Sequence, residues 1–203
     1  MNAGMGHGVL RVWNDDRIQP ASGFDPHPHR DMEIITYVRE GAITHIDKLG
    51  NRGRTEAGDV QVMHAGTGVV QAEYNHVPDV THIFQIWIEP DSVGHKPGWA
   101  TKVVPSTSLG EFAVVASGRP AHAAVGGLSI HQDAAVLVVK LEAGAQLTHP
   151  FDANRRGYLV VSKGKVEING TEMGECDGAS ISGEGVLTIS SIAKSELVLV
   201  DVP

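Results

Sequence analysis

The sequence predicts an all-β protein made of two similar antiparallel β-barrels in tandem. Three observations support this prediction. The apolar segments are short and rich in β-branched residues, the 24 glycines recur between them, and one pattern of strands and turns occurs twice. No segment has a sustained helical period of apolar residues, so the sandwich or barrel class is favoured.

Ten segments have the length and composition of strands. In chain order they are residues 9–13, 33–38, 42–46, 60–63, 83–88, 135–141, 158–161, 165–168, 186–189 and 197–200. The best candidate for a helix is a single turn at 106–111.

The repeated pattern divides the chain into two domains. Residues 34–44 and 158–168 each contain a strand, a turn with a charged residue and a glycine, and a returning strand. Each copy continues to a corner of aspartate and glycine, at 58–59 and 177–178. We expect one barrel at residues 1–115 and the other at 116–203, with the proline-containing segment 89–105 as a connector.

Composition and charge exclude several classes of function. A net charge of -8 argues against nucleic acid as a direct partner, since phosphate binding depends on Lys and Arg. A single cysteine, Cys176, cannot form an internal disulfide and fits a reducing compartment. No apolar run is long enough to span a membrane and no signal-peptide pattern is evident, so we expect a cytoplasmic protein.

Two short motifs have the spacing of metal ligands. His27 and His29 flank Pro28 in a segment that proline and glycine keep extended, so both imidazoles lie on one face of a strand. Gln71 and Glu73 repeat this spacing with oxygen-bearing side chains. Two such pairs on facing strands would form a mononuclear site with four ligands.

The second copy of the repeat lacks this pairing. It has His149 followed by Pro150 and Phe151, so an apolar residue stands where the second imidazole would be. We therefore expect one metal site, in the N-terminal barrel, and a structural C-terminal barrel without a metal.

The same residues have structural interpretations as well. His27 and His29 could be surface histidines and Glu73 a surface carboxylate, while Gln71 could hydrogen-bond a metal-bound water or take no part. His64 fits a turn cap better than a residue that supports a ligand. His45 and His82 lie in strand patterns and are expected to be ordinary barrel histidines.

Four segments together resemble the pirin family of the cupin superfamily. They are residues 23–33 (GFDPHPHRDME), 58–68 (GDVQVMHAGTG), 85–88 (QIWI) and 129–133 (SIHQD). The resemblance implies a bicupin with one iron or similar metal in its N-terminal barrel. It also implies quercetin 2,3-dioxygenase activity in some members and, for the eukaryotic namesake, transcriptional coregulation.

By position, the family's metal ligands fall on His27, His29, Gln71 and Glu73. The family has histidine where this chain has Gln71, and an amide oxygen is a weaker ligand than an imidazole. The remaining two histidines and one carboxylate still suit non-haem Fe(II), with Ni, Cu, Zn or Mn as alternatives. The resemblance places Glu33 beside the ligands rather than among them.

The leading hypothesis is a metal-dependent dioxygenase of the quercetinase type, acting on a planar, flavonol-like aromatic substrate. In it the metal lowers the pKa of the substrate hydroxyl, and Glu73 accepts its proton as the catalytic base. The alternatives are a non-catalytic metal- or redox-sensing regulator that binds a protein partner, and a metal-free structural cupin.

The resemblance begins near Leu10, whereas members of the family usually carry a longer leading segment. Strands missing there would leave a sheet edge open, which favours pairing with another chain. A homodimer is therefore expected.

Overall fold

Antiparallel strands make up nearly all of the regular structure in the computed structural model, which describes residues 7–104 and 110–203. Within these residues the one helical element is a 3₁₀ turn at Pro120–His122. The all-β prediction is confirmed, while the predicted helical turn at 106–111 falls largely outside the described residues. Across the described part of the chain, no helix combines the length and apolarity needed to cross a bilayer.

Two compact units divide the chain. The first contains the described residues up to Val104 together with Gly127–Gln132. The second contains residues 110–126 together with Asp133–Pro203.

The strands of the first unit are β1 (Leu10–Ile18), β2 (Gly23–His29), β3 (Glu33–Glu40), β4 (Ala42–Asp47), β5 (Arg52–Glu56), β6 (Val60–His64), β7 (Val69–Tyr74), β8 (Thr81–Ile88), β9 (Gly98–Lys102) and β11 (Leu128–Ser129). Those of the second unit are β10 (Ala113–Ser117), β12 (Ala135–Leu141), β13 (Gln146–Pro150), β14 (Arg156–Lys163), β15 (Lys165–Ile168), β16 (Thr171–Gly174), β17 (Gly178–Ser182), β18 (Val186–Ser191) and β19 (Ser195–Val202).

All ten predicted strands are present, and most extend beyond the predicted ends. Several of the strands that the apolar pattern missed are polar or mostly exposed, such as β5 with the sequence RGRTE and β16 with TEMG. Their backbone pairing with neighbours holds them in the sheet, and a pattern of apolar side chains does not report that pairing.

The first unit is a pair of antiparallel sheets, with strand orders β1-β8-β3-β6-β9 and β2-β7-β4-β5. We call them the five-stranded and the four-stranded sheet. Side chains from both sheets meet in two apolar clusters, one formed by Ile18, Val38, Ile43 and Ile83, the other by Ile34, Met63, Ala65 and Val69. The space between the sheets is therefore the interior of the first barrel, and residues that point into it alternate with residues that point away.

The second unit repeats this arrangement. One sheet contains β10-β12-β19-β14-β17 in that order, and the other contains β13-β18-β15-β16. An apolar cluster lies between these sheets, with Leu137, Leu159, Ile189 and Leu199 among its fully or almost fully buried members.

The turns of the internal repeat are alike in backbone detail. Gly41 joins β3 to β4 with φ +75, and Gly164 joins β14 to β15 with φ +84. The hydroxyls of Thr81 and Ser195 lie over these glycines, and each bonds both the N–H and the carbonyl of the residue that follows the glycine. A side chain at either glycine would collide with that hydroxyl, so both turns require glycine for φ and for space.

The corners that follow are also equivalent. Val38 pairs with Gly58 and Asp59 through two backbone hydrogen bonds of 2.8 and 3.1 Å, and Val161 pairs with Cys176 and Asp177 through bonds of 2.9 and 3.0 Å. The repeat predicted from the sequence is thus confirmed at the level of individual hydrogen bonds.

Candidate metal centre

Two neighbouring strands of the four-stranded sheet carry the predicted ligand motifs. β2 pairs with β7 so that His27 lies directly opposite Gln71 and His29 opposite Val69. Directly opposed residues project to the same face, so both histidines and Gln71 point towards the barrel interior with Val69. The two motifs thus lie on adjacent strands of one sheet rather than on facing strands, and pairing register brings them together.

The imidazoles are arranged as metal-binding histidines usually are. The Nδ1–H of His27 donates to the carbonyl of Asp25 at 2.7 Å, which leaves Nε2 as the atom with a lone pair. The rings of His27 and His29 lie 4.7 Å apart, edge to face. Burial, and to a lesser extent the charge of His27, lowers the pKa of His29 to about 4, so that His29 is neutral at pH 7 and can act as a ligand.

Gln71 joins the histidines to the interior. Its side-chain N–H donates to Nε2 of His29 at 3.3 Å, and it also hydrogen-bonds His45. His45 donates in turn to Asp47 at 3.1 Å and stacks on the ring of Trp99. Gln71 is therefore buried in contact with the predicted site, and His45 is a hydrogen-bonded barrel histidine.

Glu73 is a buried carboxylate with two amide donors. Only 1 % of the residue is exposed. Its oxygens accept hydrogen bonds from Gln61 of β6 (2.6 Å) and Gln85 of β8 (2.9 Å), across the barrel on the five-stranded sheet. Burial raises the pKa of Glu73 to about 7, although the two amide bonds act in the opposite direction.

Both amides have a definite orientation. The side-chain oxygen of Gln61 accepts from Thr55 (3.0 Å) and Trp99 (3.3 Å), and that of Gln85 accepts from Trp87 (2.9 Å). Each amide must therefore turn its nitrogen towards Glu73, which matches the acceptor-only character of an ionised carboxylate. Sequence reasoning missed both glutamines, because polar residues in apolar strands do not reveal what lies across a barrel.

The donor set fits a divalent metal chemically, since it combines two imidazoles, an amide and a carboxylate on one inner face. However, its donor atoms are not all close to one another. Over the described ranges 7–104 and 110–203, one group of His, Cys, Asp or Glu has three donor atoms all within 4.8 Å of one another. That group is Glu33, His64 and His131. The carboxylate of Glu73 is held by the amides of Gln61 and Gln85, and it does not form such a group with His27 and His29.

His64 thus has a different role from the turn cap expected of it. It ends β6 and contacts the carboxylate of Glu33, the first residue of β3, at 2.6 Å. His131, 98 residues from Glu33 in the chain, contacts the other oxygen of this carboxylate at 3.0 Å. No local motif links three residues so distant in sequence, so the group becomes visible only after folding.

A cleft opens beside His29. Its volume is about 490 Å³, within the range of small-molecule sites. Leu49, Val69 and Val70 give it apolar walls, and Arg30 and Lys48 contribute positive charge. The cleft can take a flat apolar molecule with an anionic group next to the imidazole of His29.

Comparisons with known proteins agree with this architecture. A family model described as Pirin matches residues 1–88, and one described as the quercetinase C-terminal cupin domain matches residues 114–202. A pirin-like protein of Caulobacter vibrioides is 54% identical over 97% of this chain and 84% of its own length. The quercetin 2,3-dioxygenase of Escherichia coli K12 is 38% identical over 98% of this chain and 84% of its own length.

Solved structures show the same fold. The crystal structure of YhhW from Escherichia coli matches with a TM-score of 0.92 at 38% identity, over 98% of this chain and 83% of that one. A second structure, of bacterial pirin YhhW in complex with nickel(II), matches with a TM-score of 0.90 at the same identity, over 98% of this chain and 84% of that one. These likenesses extend along the whole length of both units, and they show that the chain belongs to the pirin family and has its bicupin fold.

Proposed function

We propose that the protein is a metal-dependent dioxygenase of the quercetin 2,3-dioxygenase type. One observation carries the proposal: the rings of His27 and His29 lie 4.7 Å apart on β2, which pairs with β7 and its Gln71, and His29 lines a cleft of about 490 Å³. Relatives named quercetin 2,3-dioxygenase and a relative's complex with nickel(II) support it.

In this proposal His27, His29 and Glu73 hold one divalent transition metal, and Gln71 is the fourth, weaker ligand. Iron(II) is the first choice, because two imidazoles and one carboxylate are its usual set in non-haem sites. When bound, the metal acts as a Lewis acid that lowers the pKa of a coordinated hydroxyl.

The protein side chains bind and orient the substrate. Leu49 and Val70 contact the flat faces of a flavonol in the cleft and exclude water, while Arg30 and Lys48 favour the deprotonated, anionic form. Trp87 packs edge-on against His29 at 5.1 Å and fixes the orientation of that ring.

We assign the proton-accepting role to Glu73. Its buried carboxylate shares the inner face of β7 with Gln71, two residues away, and Gln71 contacts His29. In the proposed reaction Glu73 takes the proton of the flavonol 3-hydroxyl. The reaction as a whole consumes dioxygen and releases carbon monoxide.

An aerobic assay of quercetin absorbance tests the proposal. Protein loaded with Fe(II), Ni(II) or Cu(II) should bleach quercetin, and His29→Ala should lose the activity together with bound metal. His76→Ala is the matched control, since His76 is an exposed histidine of the same unit. Loss of absorbance with none of the metals would reject the dioxygenase.

The substitution at residue 71 gives a second test. Gln71→His places an imidazole opposite His27. It should raise the affinity for the metal by about 10- to 100-fold, and with it the fraction of protein that holds a metal. Unchanged affinity would show that residue 71 does not face the ion.

A non-catalytic regulator is the second candidate. It is favoured by two observations: Gln61 and Gln85 both hydrogen-bond Glu73, and Gln71 stands where the family has a histidine. In that case binding to a protein partner depends on the metal state, and a pull-down with metal-loaded and chelator-treated protein would separate the two candidates. The cytoplasmic location and the homodimer expected from the sequence stay predictions.

A further inference from the structure

We propose that Glu33, His64 and His131 form a second metal site, of the zinc class, distinct from the site at His27 and His29. The ligand set that the family resemblance implies, His27, His29, Gln71 and Glu73, does not include these residues. The inference rests on three donor atoms brought together from three separate parts of the first unit.

The three groups converge on one point. β3 pairs with β6 so that Glu33 lies directly opposite His64. Nδ1 of His64 lies 2.6 Å from one oxygen of the Glu33 carboxylate, and Nδ1 of His131 lies 3.0 Å from the other. The two imidazole rings are 4.7 Å apart, edge to face. The carboxylate is thus bracketed by two imidazole nitrogens, each of which has a lone pair when its ring carries the proton on Nε2.

These distances are close to those around a bound ion. Zinc lies about 2.0–2.2 Å from histidine nitrogens and carboxylate oxygens, so tetrahedral ligands are about 3.3 Å from one another. The observed 2.6 and 3.0 Å require outward movements of a few tenths of an ångström to admit the ion. Two histidines and one glutamate with an open fourth position are an established zinc arrangement.

Burial supports a site rather than a surface ion pair. The Glu33 side chain is 2 % exposed, whereas those of His64 and His131 are 17 % and 34 % exposed. A buried carboxylate needs a positive partner, and the graded exposure of the imidazoles gives an ion a path from solvent and leaves room for a water ligand.

The surrounding loop orients His131. His95 stacks on its ring with centroids 3.9 Å apart and planes 20° apart. His95 donates to Asp91 at 2.7 Å, and the backbone N–H of Asp91 donates to the carbonyl of His131 at 2.6 Å. The imidazole is therefore held in position before any ion arrives, as supporting contacts do in metal sites.

The first site faces the barrel interior, whereas the second lies on the other face of the five-stranded sheet. On β6, Gln61 reaches across the barrel to Glu73, and Met63 packs in the interior cluster. His64 follows Met63 directly, and side chains alternate along a strand, so His64 points to the other face. An ion at Glu33 therefore cannot share ligands with Glu73.

Zinc binding in a background without the first site tests the proposal. His29→Ala protein, titrated with ZnCl₂ by calorimetry, should bind one zinc ion. Adding His64→Ala and His131→Ala should weaken that binding by at least about 100-fold. His29→Ala combined with His76→Ala is the control and should bind as His29→Ala does.

Equal zinc affinity in the triple variant and in the control would overturn the proposal, and would identify the group as a hydrogen-bonded cluster of histidines and glutamate. Circular dichroism checks folding. Should the triple variant fail to fold, His131→Ala in the same background replaces it, since that side chain is a third exposed. Anomalous diffraction at the zinc edge, with a peak about 2 Å from the Glu33 carboxylate, is the second measurement. Loss of zinc here and lack of quercetin turnover are separate outcomes, so either proposal can fail alone.

Discussion

Replacing Gln61 by leucine removes one of the two donors to the buried carboxylate of Glu73. The bond is 2.6 Å long and both residues are buried. A hydrogen bond to a charged group contributes about 1.5–3 kcal/mol. Thr55 also loses an acceptor but keeps its contact with Thr101 at 3.1 Å, while Trp99 loses its acceptor on Gln61. The total cost in metal-free protein at pH 8 is about 2–4 kcal/mol of unfolding free energy.

The cost should depend on pH. Burial raises the pKa of Glu73 to about 7, so the carboxyl is ionised at pH 8 and protonated at pH 5. At pH 5 the lost bond is one between neutral groups, worth about 1 kcal/mol. Urea denaturation of chelator-treated wild type and Gln61→Leu at both pH values measures the difference, with the exposed Gln19→Leu as control.

A double-mutant cycle separates the bond from general repacking. In a Glu73→Leu background the charge is gone, and Gln61→Leu should then cost less than about 1 kcal/mol at pH 8. An equal cost in both backgrounds, at both pH values, would refute the argument that Gln61 stabilises an ionised Glu73.

Three further outcomes are expected. Because burial raises the pKa of Glu73, its contribution to the stability of metal-free protein is fully present below about pH 4.5 and is lost as pH rises through 7. Urea denaturation should therefore show the unfolding free energy of wild type falling by about 3 kcal/mol relative to Glu73→Gln by pH 8, and a difference that stays constant with pH would contradict this. Gly23→Ala puts a Cβ 2.1 Å from a backbone oxygen of β7, so it should separate β2 from β7 and lower both melting temperature and metal affinity; Gly185→Ala, with nothing within 4 Å, should change neither. Arg155→Met removes a 2.6 Å bond to the buried Asp201 and should cost about 2–4 kcal/mol by denaturant titration, and a cost below about 1 kcal/mol would show that the pair is not needed.

Much of the fold could be predicted because it depends on local patterns. β12, with the sequence AVLVVKL, is identified by composition alone, and its predicted bounds are the observed ones. Gly41 and Gly164 mark equivalent turns because only glycine adopts those φ values without strain. By contrast β5 and β16 are held by backbone pairing with their neighbours, and their side chains carry no signal of it.

The candidate site divides in the same way. Alternation along an extended segment is enough to place His27 and His29 on one face. The pKa of Glu73 could not be predicted in this way, because its hydrogen-bond donors Gln61 and Gln85 lie on the facing sheet. Burial among these groups, which no spacing in the chain encodes, determines its pKa.

The amino-acid sequence by itself determined the β class, the internal repeat, the family and the pair of imidazoles, because each of these is recognised from the order of residues within short segments of the chain. The tertiary structure alone decided which polar groups meet. Pairing register sets Gln71 opposite His27, and packing of the two sheets brings Gln61 to Glu73. Folding over 98 residues brings His131 to Glu33. Such contacts depend on the positions of all the strands that lie between the two residues in the chain, and short-range sequence patterns do not determine those positions.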